Sequence, residues 1–291
     1  MKQLLILSGK GGTGKTTVAG AMVRLAEARA CADCDVDAPN LHLVLDRRDK
    51  PETADYHGLP KASVDDSTCT RCGLCRDICR FGAVEQDGGF RIDARACEGC
   101  GLCEVMCPAG AISMHPEVAG ELRLFSDEEQ GVFSTARLKM GSGTTGLLVT
   151  EVKKRMTKSA KDIPLAILDG SPGIGCPVIA SIAGVDMVLV VAEPSVSGIS
   201  DMERILDTVG WHGPVRAVCV NKSDTDPEMT GLIKLRCEEV CVPYVGEIPF
   251  DPEVVRIVND GLTLADAECP AGDAVRSVFA KVMRMLGEED I

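Results

Sequence analysis

Residues 8–17 of the chain read SGKGGTGKTT and directly follow the apolar run QLLIL at residues 3–7. From Gly9 to Thr16 the stretch fits the pattern G-x-x-x-x-G-K-S/T, in which backbone N–H groups of a glycine-rich turn surround phosphate oxygens. The next residues, VAGAMVRLAEA, have helical apolar spacing. A strand, this loop and a helix predict a phosphate-binding loop, in which Lys15 bridges the outer phosphates and Thr16 binds magnesium. The residues assigned to nucleotide binding in this loop are Gly9, Lys10, Gly11, Gly12, Thr13, Gly14, Lys15, Thr16 and Thr17.

Short β-branched runs further along the chain have the composition of strands that a parallel sheet buries on both faces. They are PLAILDG at 164–170, VDMVLVVAE at 185–193 and VRAVCVNK at 215–222. The segments between them have helical apolar spacing, notably SGISDMERILDTVG and DPEMTGLIKLRCEEV. Strands that alternate with helices predict an α/β fold with a doubly wound, mostly parallel sheet.

Two similar cysteine runs interrupt this alternation, CTRCGLCRDICRFGAV at 69–84 and CEGCGLCEVMCPAGAI at 97–112. Each run has the spacing C-x2-C-x2-C-x3-C, which is typical of 4Fe–4S clusters whose fourth cysteine comes from the other run. We therefore expect two 4Fe–4S clusters. The first takes Cys69, Cys72, Cys75 and Cys107, and the second takes Cys97, Cys100, Cys103 and Cys79. Zinc is the alternative, because four thiolates also bind that ion.

The cysteine runs resemble the bacterial-type ferredoxins that carry two 4Fe–4S clusters. We expect an inserted ferredoxin-like α+β domain at 60–118, between the two parts of an ATPase core at 1–59 and 119–291. Within the second part, GELRLFSDEEQGVFSTARLKM predicts a β-hairpin that leads back into the main sheet. Its turn falls near Glu128 to Gly131.

The phosphate loop contains a second lysine, and KGGTGKTT resembles the deviant loop of the MinD, ParA, Mrp and nitrogenase iron protein family. This resemblance implies that Lys10 crosses a dimer interface to the partner's nucleotide, in a homodimer or in a heterodimer with a paralogue. DCDVDAPNL at 33–41 resembles the first switch of that family, which implies that Asp35 orients the attacking water or holds magnesium. LDGSPGIG at 168–175 resembles its Walker B strand end and second switch, with Asp169 as the magnesium-side carboxylate.

Asn221 ends a predicted strand, where the same family uses an asparagine to recognise adenine. The full run NKSD at 221–224 also matches the guanine-recognition motif of GTPases. We favour ATP and ADP as the nucleotides, because Lys10 and the two switch segments resemble the ATPases. With cysteine runs between its switches, the chain resembles MinD-superfamily ATPases with an inserted ferredoxin domain.

The composition narrows the classes of partner. A net charge of −13 and a pI near 4.8 argue against nucleic acid, which is bound by clustered Lys and Arg. The start of the chain lacks the apolar region of a signal peptide, and no run of apolar residues is long enough to span a membrane. The C-terminal helical face ends in Glu288, Glu289 and Asp290, which favours core packing over membrane binding. We expect a cytoplasmic protein whose 15 cysteines serve as metal ligands and buried thiols.

These features favour a magnesium-dependent, dimeric ATPase with Lys10, Lys15 and Asp35 as catalytic residues. Its expected role is nucleotide-gated redox or iron–sulfur chemistry, in metallocofactor assembly or in electron delivery to a redox or metallocofactor partner protein. One alternative is a spatial organiser like MinD or ParA, in which the clusters act as a sensor or as structure. Another is an ATP-dependent amidase or ligase that resembles the cobyrinic acid synthases.

Some cysteines lie outside the two runs. Cys176 follows Asp169 on the second switch, at an offset similar to that of the cluster cysteine of the nitrogenase iron protein. It is either a ligand of a metal at the dimer interface or a buried structural thiol. The pairs Cys31 with Cys34 and Cys237 with Cys241 have metal-ligand spacing, but ordinary packing also explains them.

Overall fold

The structure is a computed structural model that describes residues 1–45 and 50–287. Its strands are β1 Lys2–Leu7, β2 Ala30–Asp33, β3 Glu52–His57, β4 Lys61–Val64, β5 Val84–Gln86, β6 Phe90–Ile92, β7 Ile112–His115, β8 Val118–Asp127, β9 Gly131–Leu138, β10 Leu165–Asp169, β11 Met187–Ala192, β12 Val215–Asn221 and β13 Tyr244–Ile248. Its helices are α1 Lys15–Leu25, α2 Leu74–Ile78, α3 Leu102–Met106, α4 Thr145–Ser159, α5 Cys176–Ile182, α6 Val196–His212, α7 Pro227–Glu239, α8 Pro252–Asn259 and α9 Pro270–Leu286. Short 3-10 turns cover Leu41–Val44 and Leu264–Asp266.

One large sheet organises the described residues. Its nine strands have the order β13-β12-β11-β1-β10-β2-β9-β8-β3. From β13 to β9 every neighbouring pair is parallel. Only β8 runs the other way, antiparallel to both β9 and β3. The predicted α/β fold with a mostly parallel sheet is confirmed.

Helices cover both faces of this sheet. Along β1, Leu5 and Leu7 join a hydrophobic cluster with residues of α4, α5, α6 and α7. Leu4 and Ile6 join a second cluster, on the opposite face, with residues of α1, α8 and α9. Because side chains alternate between the two faces of a strand, a strand covered on both faces has to be apolar throughout. This requirement explains the continuous apolar runs of the central strands.

The C-terminal helix α9 packs on the sheet with the face that its periodicity predicts. Its buried side chains include Val275, Val278, Val282, Met283 and Leu286. The acidic residues Glu288, Glu289 and Asp290 lie outside the described residues. Among residues 1–45 and 50–287, none of the helices combines the length and the apolar composition that a membrane span requires.

Residues 58–117, called here the cysteine-rich segment, connect β3 to β8. They form two antiparallel strand pairs, β4 with β7 and β5 with β6, and the short helices α2 and α3. Each helix follows a glycine with positive φ, Gly73 or Gly101, at the same place in the two cysteine runs. The segment also has its own small hydrophobic cluster. The repeat in the sequence is therefore a repeat in structure.

The cysteine-rich segment leaves the sheet at the edge where the parallel strands end. In the antiparallel pairs, His57 at the end of β3 lies opposite Val118 at the start of β8, and Gly120 lies opposite Leu138 at the end of β9. This edge also carries the loop after β1. With neighbouring strands about 4.8 Å apart, β8 lies roughly 19 Å from β1 along the edge.

Strand β3 was not predicted from the sequence, because its residues ETADYH bury only one side chain, Tyr56, and so lack a strand's apolar pattern.

The β8–β9 turn gives a test of backbone strain. Gly131 has a φ of 72°, and a Cβ there would lie 2.0 Å from the Arg29 carbonyl oxygen. Gly88 has a similar φ of 66° with no atom within 4 Å of the added Cβ. We expect Gly131→Ala to lower the free energy of unfolding by about 3 kcal/mol and Gly88→Ala by about 1 kcal/mol, because only the first adds a clash to the strained φ. Urea unfolding followed by circular dichroism measures both; equal losses would contradict the contact with Arg29.

Candidate nucleotide and metal sites

The predicted phosphate loop joins β1 to α1, and close packing requires its glycines. Gly12 and Gly14 have φ values of 82° and 89°, which glycine adopts without strain. A Cβ on Gly9 would lie 2.1 Å from Asp201 Cβ, and one on Gly14 would lie 2.1 Å from Asn221 Nδ2. The loop is therefore held against α6 and β12: a larger residue at Gly9 would clash with α6, and one at Gly14 would strain the backbone and displace the Asn221 side chain.

The loop has the form of an anion site. Helix α1 begins at Lys15, so the first N–H groups of the helix have no intrahelical partner and the positive end of its dipole faces the loop. Gly11 and Gly12 are exposed, and Thr17 is half-buried in the first turn. An anion such as a phosphate group can therefore approach these N–H groups from solvent.

Three predicted residues meet at the start of α1. Lys15 Nζ donates a hydrogen bond to Asp169 Oδ1, and both side chains are buried. Thr16 Oγ1 donates to the other oxygen, Asp169 Oδ2, at 2.6 Å. The structure thus brings together the predicted phosphate lysine and two of the three predicted magnesium ligands, Thr16 and Asp169, although Asp169 lies far from the other two residues in sequence.

The first switch segment begins with a buried carboxylate. Asp33 accepts hydrogen bonds from the backbone N–H groups of Asp35 at 3.0 Å and Leu41 at 2.9 Å, and so shapes the loop. Burial, followed by the negative charge of Asp169, raises the pKa of Asp33 to about 7. Burial also raises the pKa of Asp35, while the nearby charge of Lys15 lowers it. The sequence analysis assigned a role to Asp35 but did not predict that Asp33 shapes the loop. The Asp-rich run at 33–37 could have suggested such a role.

The two switch segments are hydrogen-bonded to each other where they leave the sheet. Asp33 and Asp169 are paired residues of the parallel strands β2 and β10. Just after them, Cys34 N donates to Asp169 O at 2.7 Å, and Ser171 Oγ donates to Cys34 O at 2.7 Å. A displacement of one segment at this point therefore strains the other.

Lys10 makes contacts within its own chain. Its Nζ forms an ion pair with Glu193 Oε1 at 2.6 Å and donates to Ser197 Oγ at 3.0 Å. Glu193 follows β11, and Ser197 lies in the first turn of α6. The side chain predicted to cross to a partner subunit is thus held at the edge of the phosphate loop.

Asn221, the predicted base-recognition residue, also contacts the phosphate loop. Its Nδ2 donates to Thr13 O at 2.7 Å. The next residue, Lys222, has a φ of 57° and donates from Nζ to Gly12 O at 2.8 Å. These two side chains fix the loop from the end of β12. The role of Lys222 was missed, although it lies within the NKSD run that was considered for guanine recognition.

Two cavities in the cysteine-rich segment gather its eight cysteines into two sets of four. The first cysteine set, Cys69, Cys72, Cys75 and Cys107, lines one cavity. The second cysteine set, Cys97, Cys100, Cys103 and Cys79, lines the other, whose volume is about 260 Å³. Each set combines three cysteines of one run with the fourth cysteine of the other.

The donors in each cavity suit a metal cluster. Thiolates bind both iron–sulfur clusters and zinc. Within residues 1–45 and 50–287, no three His, Cys, Asp or Glu side chains converge as the ligands of one metal ion do. In a cubane each thiolate binds a different iron, so four sulfur atoms stand apart around a shared space. Four cysteines line each cavity, so the donors present are of the type that a 4Fe–4S cluster takes.

The remaining cysteines are distributed over the ATPase-like part of the chain. Cys176 is exposed at the start of α5, so the interpretation of this residue as a buried structural thiol is wrong. Cys31 and Cys34 are both buried but belong to hydrophobic clusters on opposite faces of the sheet, so their thiols do not converge. Burial raises the pKa of the Cys34 thiol to about 12, which keeps it protonated. Cys237 is buried and Cys241 is exposed.

Comparison with known proteins places the fold in a family. The family model described as the CobQ/CobB/MinD/ParA nucleotide binding domain matches residues 4–264. The protein MJ0578 of Methanocaldococcus jannaschii is 29% identical over 289 residues, which cover 98% of this chain and 97% of that protein. The Nubp1 homologue of Drosophila grimshawi, a cytosolic Fe–S cluster assembly factor, is 24% identical over 293 residues, covering 97% and 81% of the two chains.

Solved structures show the same fold. The septum site-determining protein MinD of Pyrococcus horikoshii, complexed with Mg-ADP, aligns with a TM-score of 0.59 over 100% of this chain and 99% of its own. The identity of that pair is 18%, so the likeness concerns the fold alone.

Asp33 should make the stability of the nucleotide-free protein depend on pH. Its pKa is about 7 in the fold against an ordinary value of 3.8, so between these values the folded state holds a proton that the unfolded state lacks. Stability from this group is therefore lost as pH rises through that window. We expect the melting temperature to fall more steeply from pH 5.5 to 8 in the wild type than in Asp33→Asn. The exposed Asp207→Asn variant is the control, and equal slopes in all three proteins would contradict the assignment.

Lys222 should support nucleotide binding through the loop rather than through the base. We expect Lys222→Met to weaken ATP and GTP binding by the same factor, roughly tenfold, because it removes a charge-assisted hydrogen bond from the Gly12 carbonyl. The exposed Lys234→Met variant, on α7, should bind as the wild type does. Titration of fluorescent nucleotide analogues measures these affinities. A change in the ratio of ATP to GTP affinity would show that Lys222 contacts the base.

Proposed function

The chain belongs to the CobQ/CobB/MinD/ParA nucleotide-binding family, and from this premise we propose that it is a magnesium-dependent ATPase with two 4Fe–4S clusters. In this proposal the nucleotide state gates redox or iron–sulfur chemistry, for metallocofactor assembly or for electron delivery to a partner protein. The protein acts in the cytoplasm. One observation carries the proposal. The site formed by Lys15, Asp169 and Thr16 lies at the same edge of the sheet where the cysteine-rich segment, with its two cysteine sets, leaves the sheet.

The contacts of Lys15, Thr16 and Asp169 support the nucleotide half of the proposal. Thr16 Oγ1 and the Asp169 carboxylate offer hard oxygen donors 2.6 Å apart, the ligand type that magnesium prefers. These residues would hold the ion, which supplies charge neutralisation at the phosphates. When the nucleotide binds, the Lys15 ammonium group leaves Asp169 and contacts the outer phosphates instead. Asp35, close enough to Lys15 and Asp169 for their charges to affect its pKa, orients the attacking water.

Hydrolysis then depends on a second subunit, either another copy or a paralogue. Lys10 leaves Glu193 and Ser197 and contacts the nucleotide of the partner, where its charge stabilises the transition state. The partly exposed position of Lys10 supports this exchange, because an exposed ion pair contributes about 0–1 kcal/mol and is readily replaced. The contact with Glu193 keeps the lysine away from its own phosphate site until dimerisation.

The two four-cysteine sets support the iron–sulfur half. The first cysteine set would hold one cluster and the second cysteine set the other, and such clusters supply one-electron transfer over a wide range of potentials. A thiolate is required at each ligand. The Nubp1 homologue is described as a cytosolic Fe–S cluster assembly factor, and its 24% identity over most of this chain adds support for this class of function.

Anaerobic protein tests the whole proposal. We expect ATP hydrolysis that Lys15→Ala abolishes, about eight irons per chain, and EPR signals of reduced 4Fe–4S clusters. The reduction potential or the retention of a partner protein should differ between nucleotide-free, ADP-bound and ATP-analogue-bound states. Identical values in the three states would count against gating, and stoichiometric zinc in place of iron would overturn the cluster assignment.

Paired cysteine substitutions test which cysteines share a cluster. Cys79→Ala/Cys97→Ala removes two members of the second cysteine set and should leave one intact 4Fe–4S signal with about four irons. Cys69→Ala/Cys79→Ala removes one member of each set and should leave no intact signal. Cys241→Ala, an exposed thiol outside both sets, is the control. If the fourth cysteine instead bound with its own run, the two double variants would exchange their results.

A further inference from the structure

The cysteine-rich segment touches the ATPase-like part of the chain at the start of α4. Thr144, the residue before this helix, is buried, and a Cβ on Gly58 would lie 2.8 Å from its Oγ1 and 3.4 Å from its Cγ2. Tyr56 OH donates to Thr144 O at 3.4 Å. One residue earlier, a Cβ on Gly143 would lie 3.6 Å from Glu98 Oε2. The beginning of α4 therefore contacts two parts of the cysteine-rich segment: residues 58–61, called here the root of the segment, and the second cysteine run at 97–112.

The second cysteine run packs on the residues that leave β3. A Cβ on Gly99 would lie 2.4 Å from Pro60 O and 2.9 Å from Leu59 Cβ. Lys61 Nζ donates a hydrogen bond to Cys97 O. Cys97 and its neighbours thus pack directly against the root of the segment. We therefore expect a shift of the root to displace the second cysteine set.

At its other side, α4 packs on the helix that follows the second switch. A Cβ on Gly146 would lie 3.1 Å from Cys176 O and 3.2 Å from Cys176 Cβ. Lys153 is buried, and its Nζ donates to the carbonyls of Ala180 at 3.3 Å and Ala183 at 2.6 Å, at the C-terminal end of α5. The close contact of Gly146 with the start of α5 and the hydrogen bonds of Lys153 to its end hold α4 and α5 together. Because packed interiors are nearly incompressible, strain in one helix is transmitted to the other.

We propose that α4 transmits the nucleotide state from the second switch to the second cysteine set, through Gly146 at α5 and Thr144 at the root of the cysteine-rich segment. This inference rests on the proposed function, since it names the route of the gating. When the switch loop reorders around the nucleotide, α5 and α4 shift together, Thr144 moves against Gly58, and Cys97 to Cys103 follow. The switch loop is the two-state element that such transmission requires.

Hydrogen–deuterium exchange under nitrogen tests the route on the full-length, as-isolated protein. We expect a non-hydrolysable ATP analogue with magnesium to slow exchange at least twofold in the peptide that covers residues 97–103. Thr144→Ala trims the side chain that contacts Gly58 and should abolish this response, while the affinity for the analogue stays within twofold of the wild type. Thr157→Ala, an exposed threonine on the same helix, is the matched control and should respond as the wild type does.

Gly146→Ala provides a second variant that should fold, because alanine is favoured over glycine inside a helix. Its added Cβ presses on Cys176, so the response at 97–103 should fall at least twofold. A full response in both Thr144→Ala and Gly146→Ala would overturn the route. An analogue that binds to the wild type without any change at 97–103 would also overturn the route and leave the ATPase proposal standing, whereas failure of the analogue to bind would overturn the proposed function.

Discussion

Seven neighbouring strands of the described sheet, from β13 to β9, run in the same direction, and this shared direction decides where the chemically useful side chains lie. Parallel strands end at one edge, so the loops that follow β1, β2, β10 and β12 meet there. Lys15, Asp33 and Asp169 come from different parts of the chain and lie close together only because of this edge, where Asn221 also reaches the phosphate loop. Because helices cover both faces of the sheet, the side chains of its central strands are apolar, and the polar groups lie at the strand ends and in the loops that follow them.

The polar groups at this edge form a compact set of opposite charges in a buried place. Lys15 lies beside Asp169, and Asp33 lies beside both, with its pKa raised to about 7. Burial of charge is costly unless each charge has a partner, and one lysine does not balance two ionised carboxylates, so Asp33 keeps its proton up to about pH 7. A site of this kind gains stability from a cation and exchanges partners readily when an anion arrives. This electrostatic imbalance suits the binding of a nucleotide together with magnesium.

The way in which the cysteine-rich segment joins the sheet follows from strand direction as well. Strands β3 and β8 are antiparallel neighbours, so the end of one lies beside the start of the other. A segment of 60 residues, 58 to 117, can leave and return there without disturbing the ladder. Its position at the outer strands separates it from the phosphate loop by several strands. The proposed communication between the two regions would therefore pass through packed elements such as α4 and α5.

Several features followed from local patterns in the sequence. The SGKGGTGKTT run predicted a phosphate loop between a strand and a helix, the β-branched runs predicted a parallel sheet, and cysteine spacing predicted two mixed sets of four. These predictions depended on spacing along the chain, which the sequence contains. Other features depended on how distant segments pack: strand β3, the pairing of Asp33 with Asp169, the contact of Lys222 with the loop, the separation of Cys31 from Cys34, and the packing of the second cysteine run on the root of the segment beside α4. Tertiary structure alone decided these, because they arise from contacts between residues that no local pattern links.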